Sequence, residues 1–163
     1  LTALGHTRIA FVSGPDNLAS ARTRLAAFLA SLERKKLECP KEFIRAGNHR
    51  FDGGYSAMLE ILKMPSRPTA VLASNDLTAI GIMGALYSAG LRVPEDISVV
   101  GFDDIAISSF MSPPLTTIRL SRAEIAESAF HSLYAASQRG ENEGVTCVVR
   151  AELVIRQSTA SIR

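Results

Sequence analysis

Residues 93–117 read VPEDISVVGFDDIAISSFMSPPLTT. Within them Ile97 to Val100 form an uncharged, β-branched run, the pattern of a strand buried on both faces. Gly90 ahead of it ends a helix, and Pro94 blocks any continuation. The strand runs directly into Asp103 and Asp104, two carboxylates with no Lys or Arg near them in sequence. In an open parallel sheet, ligands bind in the crevice outside the carboxyl ends of the strands, so acids placed there face a ligand more readily than a core. Pro113 and Pro114 then force an extended segment, and Leu115 to Ile118 read as the next strand.

The same order of strand, polar turn and helix recurs upstream. Arg8 to Ser13 is an apolar run closed by Gly14-Pro15, and Asp16, Asn17 or Ser20 can cap the helix that follows. That helix carries Ala21, Leu25, Phe28, Leu29 and Leu32 on one face. Phe43 to Ala46 form a weak second strand, Gly47 to Gly54 a polar turn, and Tyr55, Met58, Leu59 and Leu62 mark a second helix. Ala70 to Ala73 form a third strand ended by Ser74-Asn75-Asp76. A helix from about Leu77 to Ala89 follows, with Gly81 and Gly84 placed for close approach to the sheet. Gly90 is its C′ residue, with Leu91 as the apolar contact beyond. The expected fold class is α/β, a parallel sheet with helices on both faces. After Ile118, Ser121 and Glu124 form a capping box for a helix running to about Ser137, with Ile125, Ala126, Phe130, Leu133 and Tyr134 as its stripe. The polar loop Glu141 to Gly144 leads to Cys147–Ile155, a terminal strand or pair of strands.

At 163 residues, 47% hydrophobic and 21% charged, the chain suits one domain with a proper core. A net charge of +2, spread along the chain, leaves no footprint for nucleic acid. Arg34-Lys35-Lys36 suits a helix C-terminus. Cys39 and Cys147 match no metal or redox spacing and read as reduced thiols of a cytosolic protein. No signal peptide or membrane-length apolar run is present, and the start at Leu1 rather than Met fits a piece of something longer.

Four turns, Gly14 to Asn17, Gly47 to Phe51, Ser74 to Asp76 and Phe102 to Asp104, meet at one edge of the sheet. The first helix adds Ser20 and Arg24, which share a face. An arginine beside an apolar stripe needs a partner, either ligand or carboxylate. Each candidate also has a plainer reading: Asn75 as a helix cap, Asp103 as a brace for its loop, Arg24 as an ion-paired surface residue, His49 as a solvated turn residue, His6 as structural. Enzyme motifs are missing: no G-x-G-x-x-G after the first strand, no P-loop, no nucleophile elbow. Only Asp16 and Asp76 add acids to the Asp103-Asp104 pair, too few for the clustered acids of a Mg²⁺ or phosphoacceptor site. Neutral hydrogen-bonding groups, one Arg and an Asp suit a small polar ligand such as a sugar or nucleobase, with no metal or cofactor.

VPEDISVVGFDD with PPLTTI, LGHTRIAFVSGP, RLAAF and ASNDLTAIG resemble, in the same order, segments of LacI/GalR-type bacterial transcription regulators. The resemblance implies the C-terminal part of a periplasmic-binding-protein-like effector domain. Residues 1–118 would be its C-terminal subdomain, 119–140 a helix crossing to the other subdomain, and 141–163 the returning strand and tail. It implies that Ser20, Arg24, Asn75 and Asp103 line the effector pocket, and that His49 stands where many members place an aromatic that stacks on the ligand. That substitution leaves the ligand class open. It further implies a homodimer through Ile80, Met83, Phe110 and Met111, with DNA bound only by an upstream helix-turn-helix. The crossing helix would lie on the other subdomain, and with residues 1–163 alone its stripe is expected to be buried against another copy. The alternatives are a fragment of a periplasmic sugar-binding protein and, more remotely, a flavodoxin-like enzyme.

Overall fold

All five residues of Ile9–Ser13 are buried, as an apolar run in the interior of a sheet requires. In the computed structural model, which describes residues 1–139 and 146–162, this strand is β1. It is followed by α1 (Ala19–Arg34), β2 (Ile44–Ala46), α2 (Phe51–Leu62), β3 (Ala70–Ala73), α3 (Asp76–Ser88), β4 (Ser98–Asp103) and β5 (Thr116–Leu120). A long helix α4 (Arg122–Arg139) and a short β6 (Ala151–Val154) complete the chain. The sheet order is β2-β1-β3-β4-β5-β6, parallel throughout except for the antiparallel β5–β6 pair. Ala10 stands opposite Val71, and Val71 opposite Val99. Because the chain steps from β1 outward to β2 and back across to β3, the direction of winding reverses between β1 and β3. The crevice at their carboxyl ends is a topological switch point.

The core is built on both faces. One face packs α2 and α3 onto the sheet through Met58, Ile61, Ile82 and Leu86 against Val71 and Val99. The other packs Phe28 and Leu32 of α1 on Ile9 and Phe11, with the Phe11 and Phe28 rings stacked at 4.9 Å. On that side an apolar groove of about 630 Å³ continues past Leu72 and Val100 to Leu153 and Ile155.

Several local readings change. Leu18, not Asp16, Asn17 or Ser20, occupies the N-cap of α1, and no side chain caps it. The polar turn after β2 ends at Arg50, so Gly53 and Gly54 lie inside α2. Gly81 faces α2 rather than the sheet: a Cβ there would sit 2.1 Å from the Phe51 carbonyl oxygen, and one on Gly54 would sit 2.2 Å from that of Thr78. The two helices cross through their glycines. Gly84 has room, its nearest neighbour being Tyr55 Cδ2 at 3.7 Å. The expected helix end holds: Gly90 (φ 72) donates to Tyr87 O, and Leu91 N to Leu86 O, the paired bonds of a Schellman cap.

Ser121 Oγ accepts from Glu124 N at 3.2 Å and starts α4. The α4 stripe is open to solvent, with Phe130 64% and Leu133 73% exposed. The expected loop Glu141 to Gly144 lies outside the described residues, and the terminal strand is confined to Ala151–Val154. His6 is structural. Its Nε2 donates to Ala160 O at 2.9 Å and its Nδ1 lies 3.0 Å from Thr69 Oγ1, joining the chain's start, the entry to β3 and the C-terminal tail.

The least expected core residue is Asp76, the first residue of α3, whose carboxylate is fully buried. Its Oδ2 accepts from the Ile105 N–H at 2.9 Å and the Ser108 hydroxyl at 2.7 Å, and its Oδ1 from the Thr117 hydroxyl. Gly101 has no side chain because Asp76 Oδ1 occupies the place: a Cβ there would be 2.2 Å away. Asp76 thereby pins the loop after β4 to both α3 and β5.

The glycine contacts predict opposite effects from one substitution type. Gly81→Ala forces α2 and α3 apart and should cost on the order of 1–3 kcal/mol, as overpacking does. Gly84→Ala meets ordinary contact distances and should stabilise by roughly 0.5–1 kcal/mol through helix propensity. Urea denaturation of both variants tests the pair.

Candidate functional site

The turn after β4 has an unusual backbone. Asp103 (φ 116) and Asp104 (φ 51) both occupy positive φ, a conformation that costs about 1–3 kcal/mol per residue and persists only where surroundings enforce it. Asp104 is held by two arginines, its Oδ1 by Arg156 Nη2 and its Oδ2 by Arg119 Nε, each at 2.6 Å. Burial alone would raise the Asp104 carboxyl, but the hydrogen bonds and charges of Arg156 and Arg119 outweigh it and hold the group below its ordinary value. Of the adjacent carboxylates, Asp104 is therefore structural and Asp103 is the one presented to the crevice.

Arg24 reaches that crevice from α1. Its Nη1 donates to Ser74 O at 2.7 Å, its Nη2 lies 3.5 Å from Asp103 Oδ1, and its guanidinium carbon sits 3.8 Å over the Phe102 ring. A carbonyl, a carboxylate and an aromatic face fix the guanidinium, leaving its side chain 22% exposed. The ion pair is looser than a hydrogen bond, and no described residue donates a hydrogen bond to the Asp103 carboxylate, which keeps acceptor capacity. Burial raises the Asp103 carboxyl; the Arg24 charge pulls it down, Asp76 pushes it up and Arg122 draws it down, with burial prevailing. Below Arg24 an apolar cavity of about 270 Å³ is walled by Phe28, Leu72, Phe102 and Ile118.

His49 closes the other side. It sits at φ 61, its Nε2 is 2.8 Å from Ser74 Oγ, and its carbonyl accepts from Asn75 Nδ2 at 3.1 Å. Burial lowers its pKa and the nearby Arg24 charge adds to that, so the neutral imidazole is favoured. Asn75 serves two purposes: its Oδ1 caps α3 by accepting from Thr78 N at 3.0 Å, and its amide holds His49. The plain reading of Asn75 as a helix cap is correct, and the same side chain also reaches the crevice turn through His49.

Arg24, His49, Asn75 and Asp103 thus meet around Ser74. Ser20 does not join them: it is exposed in the first turn of α1 and its side chain makes no hydrogen bond to the described residues. Phe102 and Ser74 lie in turns the sequence marked, yet their roles follow from which way the strand ends face. Among the residues expected at a partner surface, Phe110 is 85% exposed, while Ile80 and Met111 are half-buried. Met83 must be removed from that set. At 5% exposure it belongs to the core, because α3 is covered by both α2 and the sheet. Among the described residues no cluster of three His, Cys, Asp or Glu could hold a metal ion, and no helix is long and apolar enough to cross a membrane.

A sheet of this order, with polar turns gathered at its switch point, matches a periplasmic binding protein-like domain over residues 1–159. The chain belongs to that family. Its relatives there are LacI-type transcription regulators. It is 46% identical over 129 residues to the ribose operon repressor of Escherichia coli K12, covering 79% of this chain and 39% of that protein. It is 35% identical over 158 residues to the HTH-type transcriptional repressor CytR of the same organism, covering 97% of this chain and 46% of the relative. The structure superposes on the lac repressor dimer bound to operator and the anti-inducer ONPF with a TM-score of 0.90 at 36% identity, over 98% of this chain and 55% of that one. The chain spans less than half the length of these curated relatives. The similarity favours a regulator's effector-binding domain over a transport protein.

The Asp104 pairs predict an acid-side stability loss. A carboxyl held below its unfolded value of about 3.8 contributes fully above that value and is lost as pH falls through its lower folded value. Asp104→Asn should therefore be less stable than wild type at neutral pH, with the difference shrinking below about pH 4. Thermal melts at a series of pH values provide the check.

Proposed function

We propose that this chain is the C-terminal portion of the effector-binding domain of a LacI-type regulator, and that residues 1–118 form the wall of the effector cleft described above. The observation that carries the reading is Arg24, fixed by Ser74, Asp103 and Phe102 at the switch point. A guanidinium and a carboxylate side by side, with unused hydrogen-bonding capacity, suit a neutral polyhydroxylated ligand, whose hydroxyls both donate and accept. The likeness to a repressor named for a ribose operon supports a sugar or related metabolite. The regulator acts in the cytoplasm, binds DNA through a helix-turn-helix upstream of this chain, and pairs as a two-fold homodimer. The exposed Phe110, with its chain neighbour Met111 half-buried, supports the pairing surface. The open stripe of α4 supports its role as the segment 119–140 crossing to another subdomain, with 141–163 returning.

Two outcomes test this reading in the full-length regulator. By calorimetry against a panel of pentoses, hexoses and nucleosides, Arg24→Ala should bind the recognised member about tenfold to a hundredfold more weakly, the worth of a charge-assisted hydrogen bond. Asp16→Asn, outside the site, should bind as wild type does, and equal affinity for Arg24→Ala would remove Arg24 from the cleft. By sedimentation, Phe110→Asp should shift the dimer toward monomer, since it places a charge in an apolar contact.

A further inference from the structure

His49 is held too firmly for a turn residue that merely faces water. Three independent restraints act on it: Ser74 Oγ on its Nε2 at 2.8 Å, the Asn75 amide on its carbonyl at 3.1 Å, and the backbone of the turn at φ 61. A fourth comes from Gly14 at the end of β1. A Cβ built on Gly14 would lie 1.9 Å from His49 Nε2 and 2.4 Å from both adjoining ring carbons, so the imidazole edge rests where that side chain would be. Ser74 is itself 1% exposed and makes its only described side-chain hydrogen bond to this ring. The ring is therefore pinned by one nitrogen, and the other, Nδ1, has no partner among the described residues, while His49 stays half-exposed.

We infer that His49 is a specificity-determining residue, which presents Nδ1 as a hydrogen-bonding atom to the effector. The cleft would thus select a ligand carrying a hydroxyl or ring nitrogen at that wall rather than an apolar face. This deepens the effector-binding reading and rests on it. The polarity of the contact adapts to the ligand. When the Ser74 hydroxyl donates to Nε2, the neutral ring carries its proton on Nδ1 and donates; when Nε2 donates to Ser74 Oγ, Nδ1 accepts. Both states use the neutral imidazole, which burial and the neighbouring Arg24 favour. A stacking aromatic at this position would supply surface but no such atom. The same wall also needs glycine at position 14, so Gly14 and His49 form one unit.

The test is a cycle on the full-length regulator by calorimetry, with the recognised member of the panel of pentoses, hexoses and nucleosides and its monodeoxy or deaza analogues. Wild type should lose at least tenfold in affinity for the one analogue lacking the group that faces Nδ1. His49→Phe should bind the parent ligand at least tenfold more weakly and no longer distinguish that analogue from it. His49→Gln, which keeps a polar group there, should recover part of the discrimination, and Gly14→Ala should lose it by displacing the ring. Melting curves of each variant separate loss of contact from loss of fold. If His49→Phe discriminates as wild type does, the inference is overturned while the effector-binding reading stands. If wild type binds no member of the panel, both fall together.

Discussion

A single carboxylate, buried with no cation partner among the described residues, holds the crevice end of this domain together. Asp76 lies at the N-terminus of α3, where the helix dipole favours negative charge, and receives hydrogen bonds from Ile105, Ser108 and Thr117. A buried charge left short of partners would cost several kcal/mol, so the loop after β4 stays in the place that satisfies it. Gly101 is required beneath it for space. Helix, strand and loop are thereby joined at one point, and the positive-φ turn of Asp103 and Asp104 is built out from it.

That arrangement explains the division of labour between two adjacent acids. Asp104 is bound by Arg119 and Arg156, residues from β5 and from the segment after β6, so the returning end of the chain braces the turn. With its neighbour anchored, Asp103 is held at the crevice against Arg24 with acceptor capacity to spare. Ser74 plays the matching part on β3: its carbonyl positions Arg24 and its hydroxyl positions His49. This edge of the sheet is thus organised by backbone and small hydroxyl groups, which define position while occupying little space.

The same chain carries exposed apolar surface on other elements. Phe110 projects from the loop that Asp76 secures, and Phe130 and Leu133 project from α4. Through Ser108 and Ile105, the buried carboxylate connects the residues beside Asn75 to the loop bearing Phe110. The crevice end of β3 and the loop bearing Phe110 therefore share one joint at Asp76.

The alternation of β-branched runs, polar turns and amphipathic stretches was enough to specify an α/β sheet, the order of its elements and the edge where polar turns collect. Those features depend on local periodicity, which a sequence carries directly. The Gly90 cap and the Ser121 cap were legible for the same reason, since each is completed within a few residues. What only the tertiary structure decided depends on contacts far apart in the chain. Asp76 and Thr117, or Asp104 and Arg156, are joined across 41 and 52 residues, so nothing near either member announces the pair. Gly81 was read as facing the sheet and faces α2, and Met83 was read as surface and is core. In each case the reason is the same: α3 is apolar on all sides, so its sequence carries no phase, and only the packing of α2 against it determines which way each residue points.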